Sequence, residues 1–229
     1  MKINRPQQEK TGQRRALVVR GGWEGHSPIE ATERFLPFLK DSGFEVTVSE
    51  SLDVYSDAAL LASTDLILQC WTLGSITEEQ VGGLREAVRA GTGLAGWHGG
   101  IVDSFRDSAA YLQLVGGQFA AHPGDIHEHT LEVIPGRNDH GIVRGMDAIT
   151  IEDEQYWVLT DSRSDVLVTT TIPVDAGGAW TEPIVSPAVW TRHWGVGRIF
   201  VSTPGHHPAV LDVPEIRTMV ERGLLWASR

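Results

Sequence analysis

The sequence predicts an α/β fold in which a mainly parallel sheet carries helices on both faces. Short apolar, β-rich runs alternate with capped helical segments through the first half of the chain, the spacing of crossover units. The balance of 41% hydrophobic and 21% charged residues over 229 positions is that of an ordinary globular protein. A chain of this length builds a sizeable core without needing disulfides or metal to fold.

Taken in order, Ala16-Leu-Val-Val-Arg20 is a first strand, ended by Gly21-Gly22. Ser27-Pro28-Ile29-Glu30 starts a helix with a capping hydroxyl, a proline at the first helical position and an acid completing a capping box. This helix is expected to reach about Ser42, with a kink or break at Pro37 and a stop at Gly43. Phe44 to Val48 alternates as a second strand, and Asp65 to Cys70 forms a third. Thr77-Glu-Glu-Gln80 opens a capping-box helix closed by Gly91, and Thr92 to Trp97 makes a fourth strand of small residues. Later strands are expected at His127–Ile134, Asp165–Ile172, Ala188–Arg192 and Arg198–Ser202. Pro214 to Ala227 reads as an amphipathic helix with Ile216, Met219, Val220 and Gly223 along one face. There is no internal repeat or convincing linker, so residues 15–229 are expected to form one domain behind a flexible tail over residues 1–14.

Charge and cysteine content narrow the function. A net charge of −11 argues against a nucleic-acid partner, which needs a Lys/Arg footprint. The single cysteine, Cys70, excludes an intrachain disulfide and Cys-rich zinc patterns, and suits a reducing, cytoplasmic compartment. No apolar run approaches the roughly 18 residues of a membrane span, and the first residues lack a signal-peptide core. The expected partner is a small molecule; a homo-oligomer is compatible with the sequence.

In open α/β sheets ligands bind beyond the carboxyl ends of the strands. Those ends here deliver Gly21 to His26, Cys70-Trp71-Thr72, Trp97-His98-Gly99-Gly100 and Thr203 to His207, each carrying tryptophan or histidine. Gly96-x-His98-x-Gly100 has the spacing of a nucleophile elbow, with an imidazole where Ser or Cys would stand. Histidine there suits acid–base chemistry or metal ligation; the alternative is that the glycines serve only a tight turn around a structural His98. Glu152-Asp153-Glu154-Gln155-Tyr156-Trp157 sets acids beside aromatics; Glu154 is either part of a solvated run or a proton donor with a raised pKa. His127 and His129 share one strand face, a workable metal pair. Several histidines with Glu154 could complete a zinc or similar site. Indoles at the strand ends suit stacking on sugar rings. Gly21-Gly22 lacks both the P-loop lysine and the dinucleotide spacing.

Several segments together resemble the ThuA-like (trehalose utilisation) family. They are Gly21 to His26, Gly93-Leu-Ala-Gly-Trp-His-Gly-Gly100, Gly116 to Pro123, Asp153-Glu-Gln-Tyr-Trp157, and Pro187 to Arg192 through Gly195 to His206. The resemblance implies a flavodoxin-like fold similar to class I glutamine amidotransferases. It also implies that thiol amidotransferase activity is absent, since His98 replaces the cysteine and His207-Pro208 is followed by Ala209. It points to trehalose or a related disaccharide or keto-sugar, handled by hydrolysis, elimination or isomerisation. The candidate catalytic residues are His98, Glu154 and His206, and the candidate substrate-binding residues are His26, Trp71, Trp97, Tyr156 and Arg192. Some relatives hold zinc near the positions matching His98, Glu154 and His206, the implied metal set. The alternative is a non-catalytic sugar-binding or regulatory protein on a degenerate amidotransferase-like fold.

Overall fold

The computed structural model describes residues 12–174, 177 and 179–229. The tail expected over residues 1–14 lies outside the described residues as far as position 11, and the first strand already begins at Arg14. The strands are β1 (Arg14–Gly22), β2 (Phe44–Ser49), β3 (Leu66–Thr72), β4 (Gly93–Trp97), β5 (Gly117–Ala121), β6 (Ile126–Val133), β7 (Ile149–Glu154), β8 (Trp157–Thr160), β9 (Asp165–Ile172), β10 (Ile184–Trp194) and β11 (Gly197–Ser202). The helices are α1 (Pro28–Glu33), α2 (Leu36–Asp41), α3 (Ala58–Ser63), α4 (Glu78–Ala90), α5 (Gly99–Val102), α6 (Ala109–Val115) and α7 (Pro214–Ala227).

Nine strands form one sheet in the order β2-β1-β3-β4-β11-β10-β9-β6-β7, and β5 pairs with β8 separately. From β2 to β11 every pairing is parallel; from β11 to β7 every pairing is antiparallel. The expectation of a mainly parallel sheet therefore holds for the first half only. The second half runs β10 back from β11 through a tight hairpin at Gly195, where no crossover helix intervenes.

Helices cover both faces. One core gathers Phe35 and Leu39 from the α1–α2 region with Met219, Val220 and Leu224 of α7. The other gathers Leu61 of α3, Leu84 and Val88 of α4, and Tyr111 and Leu114 of α6. The helix expected over Ser27–Ser42 is two short helices. Pro37 sits in the first turn of α2, where its missing N–H costs nothing, and the chain breaks just before it. Ser27 makes no side-chain cap; its backbone takes φ 45° instead. Thr77 and Gln80 do form the reciprocal capping box at the start of α4.

Candidate functional site: a histidine and glutamate cluster

Four elements far apart in sequence deliver the cluster. His26 ends the turn after β1, His98 follows β4, Glu154 ends β7, and His206 lies in the loop after β11. Each of the four offers one donor atom, and these atoms lie within 4.8 Å of one another. The imidazole centroids of His26 and His98 are 4.6 Å apart, and His206 lies 5.1 Å and 5.4 Å from them. Among the described residues no other group of three or more metal-ligating side chains converges in this way.

Local backbone geometry fixes each side chain. His98 adopts φ 49° and ψ −147°, a region that disfavours any side chain. Its N–H donates to Ser202 O at 2.7 Å, and its Nδ1 lies 2.7 Å from Thr203 O. A carbonyl only accepts, so Nδ1 carries a proton, and in the neutral tautomer Nε2 faces the cluster as an acceptor. The Tyr156 hydroxyl is 2.7 Å from that Nε2, and Glu154 Oε2 is 3.2 Å from it. His26 pairs through Nδ1 with Thr72 Oγ1 at 2.9 Å, leaving Nε2 for the cluster. Gly99 is required beside it, since a Cβ there would come within 2.4 Å of His26 Cε1. His206 is held through its backbone: the Asp153 carboxylate accepts from Gly205 N at 2.7 Å and from His206 N at 3.2 Å.

The electrostatics keep His26 neutral and the Glu154 carboxylate ionised. Burial, with His98 and His206 nearby, lowers His26 to about 3, so it stays neutral at ordinary pH. Burial alone would raise Glu154, but the His206 and His98 imidazoles outweigh it and hold the carboxylate well below its usual range. Glu154 in turn raises His206. His206 Nδ1 is buried and pairs with Glu154 Oε2 at 3.1 Å, out of line for a well-formed hydrogen bond. Three imidazoles and one carboxylate thus converge on one small volume, a donor set that suits zinc and similar divalent ions.

The structure brings His98, Glu154 and His206 together and adds His26 to them. Other candidates are placed differently. Trp97 is 1% exposed and packs on Phe35 at 4.9 Å, so it is core and offers no wall to a ligand. Every residue of β4 is buried, which removes the alternation that would turn one face outward. Tyr156 is likewise buried and presents its hydroxyl, while its ring lies on His98 and Phe119. Trp71 packs over Gly21 and beside Gly74, and no ring of the cluster stacks on it. Arg192 is buried away from the cluster in a bridge to Asp161 at 3.0 Å and a bond to Gln113 O. His127 and His129 do share a face, with centroids 5.4 Å apart, but His127 Nε2 pairs with Gln155 and no third ligand joins them. Burial pushes the Cys70 thiol up to about 12, so this strand end carries no thiolate.

Three contributors escaped the sequence reading. Asp153 reads as one acid in a solvated run, yet it is buried and orients His206. His122 lies on the loop before β6 with Nε2 3.8 Å from Glu154 Oε1. Thr203 contributes only its backbone carbonyl, which no residue type announces. At the rim, Trp23 is 49% exposed and meets His26 edge-on at 4.8 Å.

The sequence profile of a family described as trehalose utilisation, ThuA, matches residues 15–227. The chain belongs to the ThuA family. Membership supports a role in carbohydrate utilisation in general. A solved ThuA-like protein from Parabacteroides merdae superposes with TM-score 0.75 at 16% identity, over 94% of this chain and 90% of its own. A ThuA-like protein from Bacteroides uniformis gives TM-score 0.73 at 15% identity, over 93% and 91%. A β-galactosidase from Bacillus circulans gives TM-score 0.56 at 12% identity, covering 93% of this chain but only 30% of the enzyme. At these identities the likeness is one of fold. No curated protein matches the chain. Among the described residues no helix is long and apolar enough to cross a membrane.

Proposed function

We propose that this protein is a divalent-metal-dependent enzyme acting on a disaccharide or an oxidised sugar. The observation that carries the reading is the convergence of His26, His98, Glu154 and His206 on one small volume beyond the carboxyl ends of the sheet. His26, His98, Glu154 and His206 would hold a divalent ion, whose chemistry there would be Lewis-acid polarisation of a sugar hydroxyl or carbonyl oxygen. The protein's own groups do the rest. Thr203 O and Thr72 fix the rings of His98 and His26, the second-shell bonding that metal-ligating imidazoles require. Trp23 offers a half-exposed indole face to a sugar ring at the rim. His122 faces Glu154 from outside the ligand group, and it is the side chain placed to exchange a proton with a substrate. The reaction belongs among hydrolysis, elimination and isomerisation, all of which need a polarised oxygen and a proton carrier.

The strand order β2-β1-β3-β4-β11 supports the finer fold reading, because it matches the flavodoxin-like order with its reversal beside β1. A cytoplasmic location agrees with the single buried cysteine.

The test is metal analysis of the purified protein with zinc titration, followed by incubation with disaccharides and their keto derivatives. Stoichiometric zinc, bound markedly more weakly by His98→Ala and Glu154→Ala, together with product formation, is the expected result. Zinc and sugar binding without product would make the protein a binder, and no zinc binding would remove the metal reading.

A further inference from the structure

The bond between Tyr156 and His98 engages the one lone pair that a metal would need. His98 commits Nδ1–H to Thr203 O, so Nε2 is its only atom available to the cluster. In the neutral tautomer of His98 the Tyr156 hydroxyl, 2.7 Å away, donates to that atom. The phenol ring cannot swing aside, because it lies between His98, at 4.2 Å between centroids, and Phe119, at 4.6 Å, and is 2% exposed. The O–H can still rotate about its own bond to the ring.

We infer that Tyr156 and the metal compete for His98 Nε2: the hydroxyl caps this nitrogen in the metal-free protein, and metal binding displaces it as a free donor inside the site. Tyr156 is then a positioning residue in the empty site and a hydrogen-bond donor for a ligand in the loaded one. The inference deepens the metal-dependent reading and rests on it. It differs from the role of a stacking wall, because it uses the oxygen of Tyr156 and not its ring.

The experiment is zinc titration of the metal-stripped, full-length protein against a chromophoric chelator, comparing wild type with Tyr156→Phe. Phenylalanine keeps the packed ring and deletes only the oxygen. A hydrogen bond that must be broken on binding is removed in the variant, so its zinc affinity is expected to rise about 2–10-fold. General damage to the site would weaken binding, so a gain is a result that a merely structural role does not produce. The gain should vanish when both proteins also carry His98→Ala. A second readout is carbon NMR of the labelled tyrosine rings, of which the chain has three. Zinc should shift the Tyr156 hydroxyl-bearing carbon and leave those of Tyr55 and Tyr111 in place. Equal or weaker zinc binding by Tyr156→Phe, a gain that persists without His98, or an unmoved Tyr156 resonance would each overturn the inference while leaving the metal site standing. Failure of wild type to bind zinc would instead remove the reading on which it rests.

Discussion

At the scale of single residues, His98 carries backbone strain. A non-glycine residue at φ 49° and ψ −147° costs on the order of 1–3 kcal/mol. His98→Gly and His98→Ala lose the same imidazole but differ in this backbone term. His98→Gly is therefore expected to be the more stable of the two by about 1 kcal/mol in chemical denaturation, after the extra freedom of an unfolded glycine is allowed for. Glu154 and His206 make a second, pH-dependent contribution. His206 has a raised folded pKa, so its contribution is full below its ordinary 6.5 and fades as pH rises through the raised value. Glu154 has a lowered one, so its contribution is present above its ordinary 4.5 and fades as pH falls through the lowered value. The metal-free pair therefore stabilises most between 4.5 and 6.5. His26 works the other way over that range, since it resists charging until about 3 while the unfolded chain takes up protons. The variant comparison isolates the pair: Glu154→Gln should lower the melting temperature of metal-free protein more at pH 6 than at pH 9.

At the scale of elements, α4 carries two adjacent glycines with opposite meanings. A Cβ on Gly82 meets nothing, whereas one on Gly83 would come within 1.9 Å of Tyr55 O. Thermal melts should show Gly82→Ala stabilising by about 1 kcal/mol through helix propensity. Gly83→Ala should instead destabilise by about 1–3 kcal/mol through overpacking. Both helices with strong end signals, α4 and α7, were legible in the sequence: Thr77 and Gln80 cap one, and Pro214 opens the other. The short helices α3 and α6 were not, because six or seven residues carry too few turns for a periodic signal. The strand β7 was hidden for another reason. Its Ile149-Thr-Ile-Glu-Asp-Glu154 does alternate, but its acids read as surface, and only pairing with β6 shows that Asp153 is buried. The site was legible where a glycine-flanked turn ends a strand, as at His98. Tertiary packing decided the rest: it buries Trp97 and Arg192 away from the cluster and covers the Tyr156 ring, leaving only its hydroxyl at the site.

At the scale of the whole molecule, the cluster joins two halves of one sheet that obey different rules. His26, His98 and His206 come from the parallel half, and Glu154 comes from β7 at the opposite edge. Four strand spacings separate β11 from β7, about 19 Å if the sheet were flat. Glu154 Oε2 nevertheless lies 3.1 Å from His206, because the loop after β11 reaches across to bond Asp153 of β7 and the sheet's twist shortens the span. The pairing pattern makes room for this, since β6 joins β9 only through Leu131–Val133 while Ile126–Leu131 pair with β7. The upper part of the β6–β7 hairpin therefore has one bonded neighbour where an interior strand has two. An ion shared by Glu154 and the histidines would fasten that hairpin to the rest of the protein, like a clasp closing a bracelet. Hydrogen exchange should then slow on adding zinc at the amides of Ile126–Thr130 and Thr150–Glu154, and far less at β2 on the other edge; equal slowing at both edges would mean the ion stabilises the fold only as a whole. The consequence is mechanical: loading the site and latching the sheet's loose border would be one event, so a bound sugar would meet a rigid rim only after the ion has arrived.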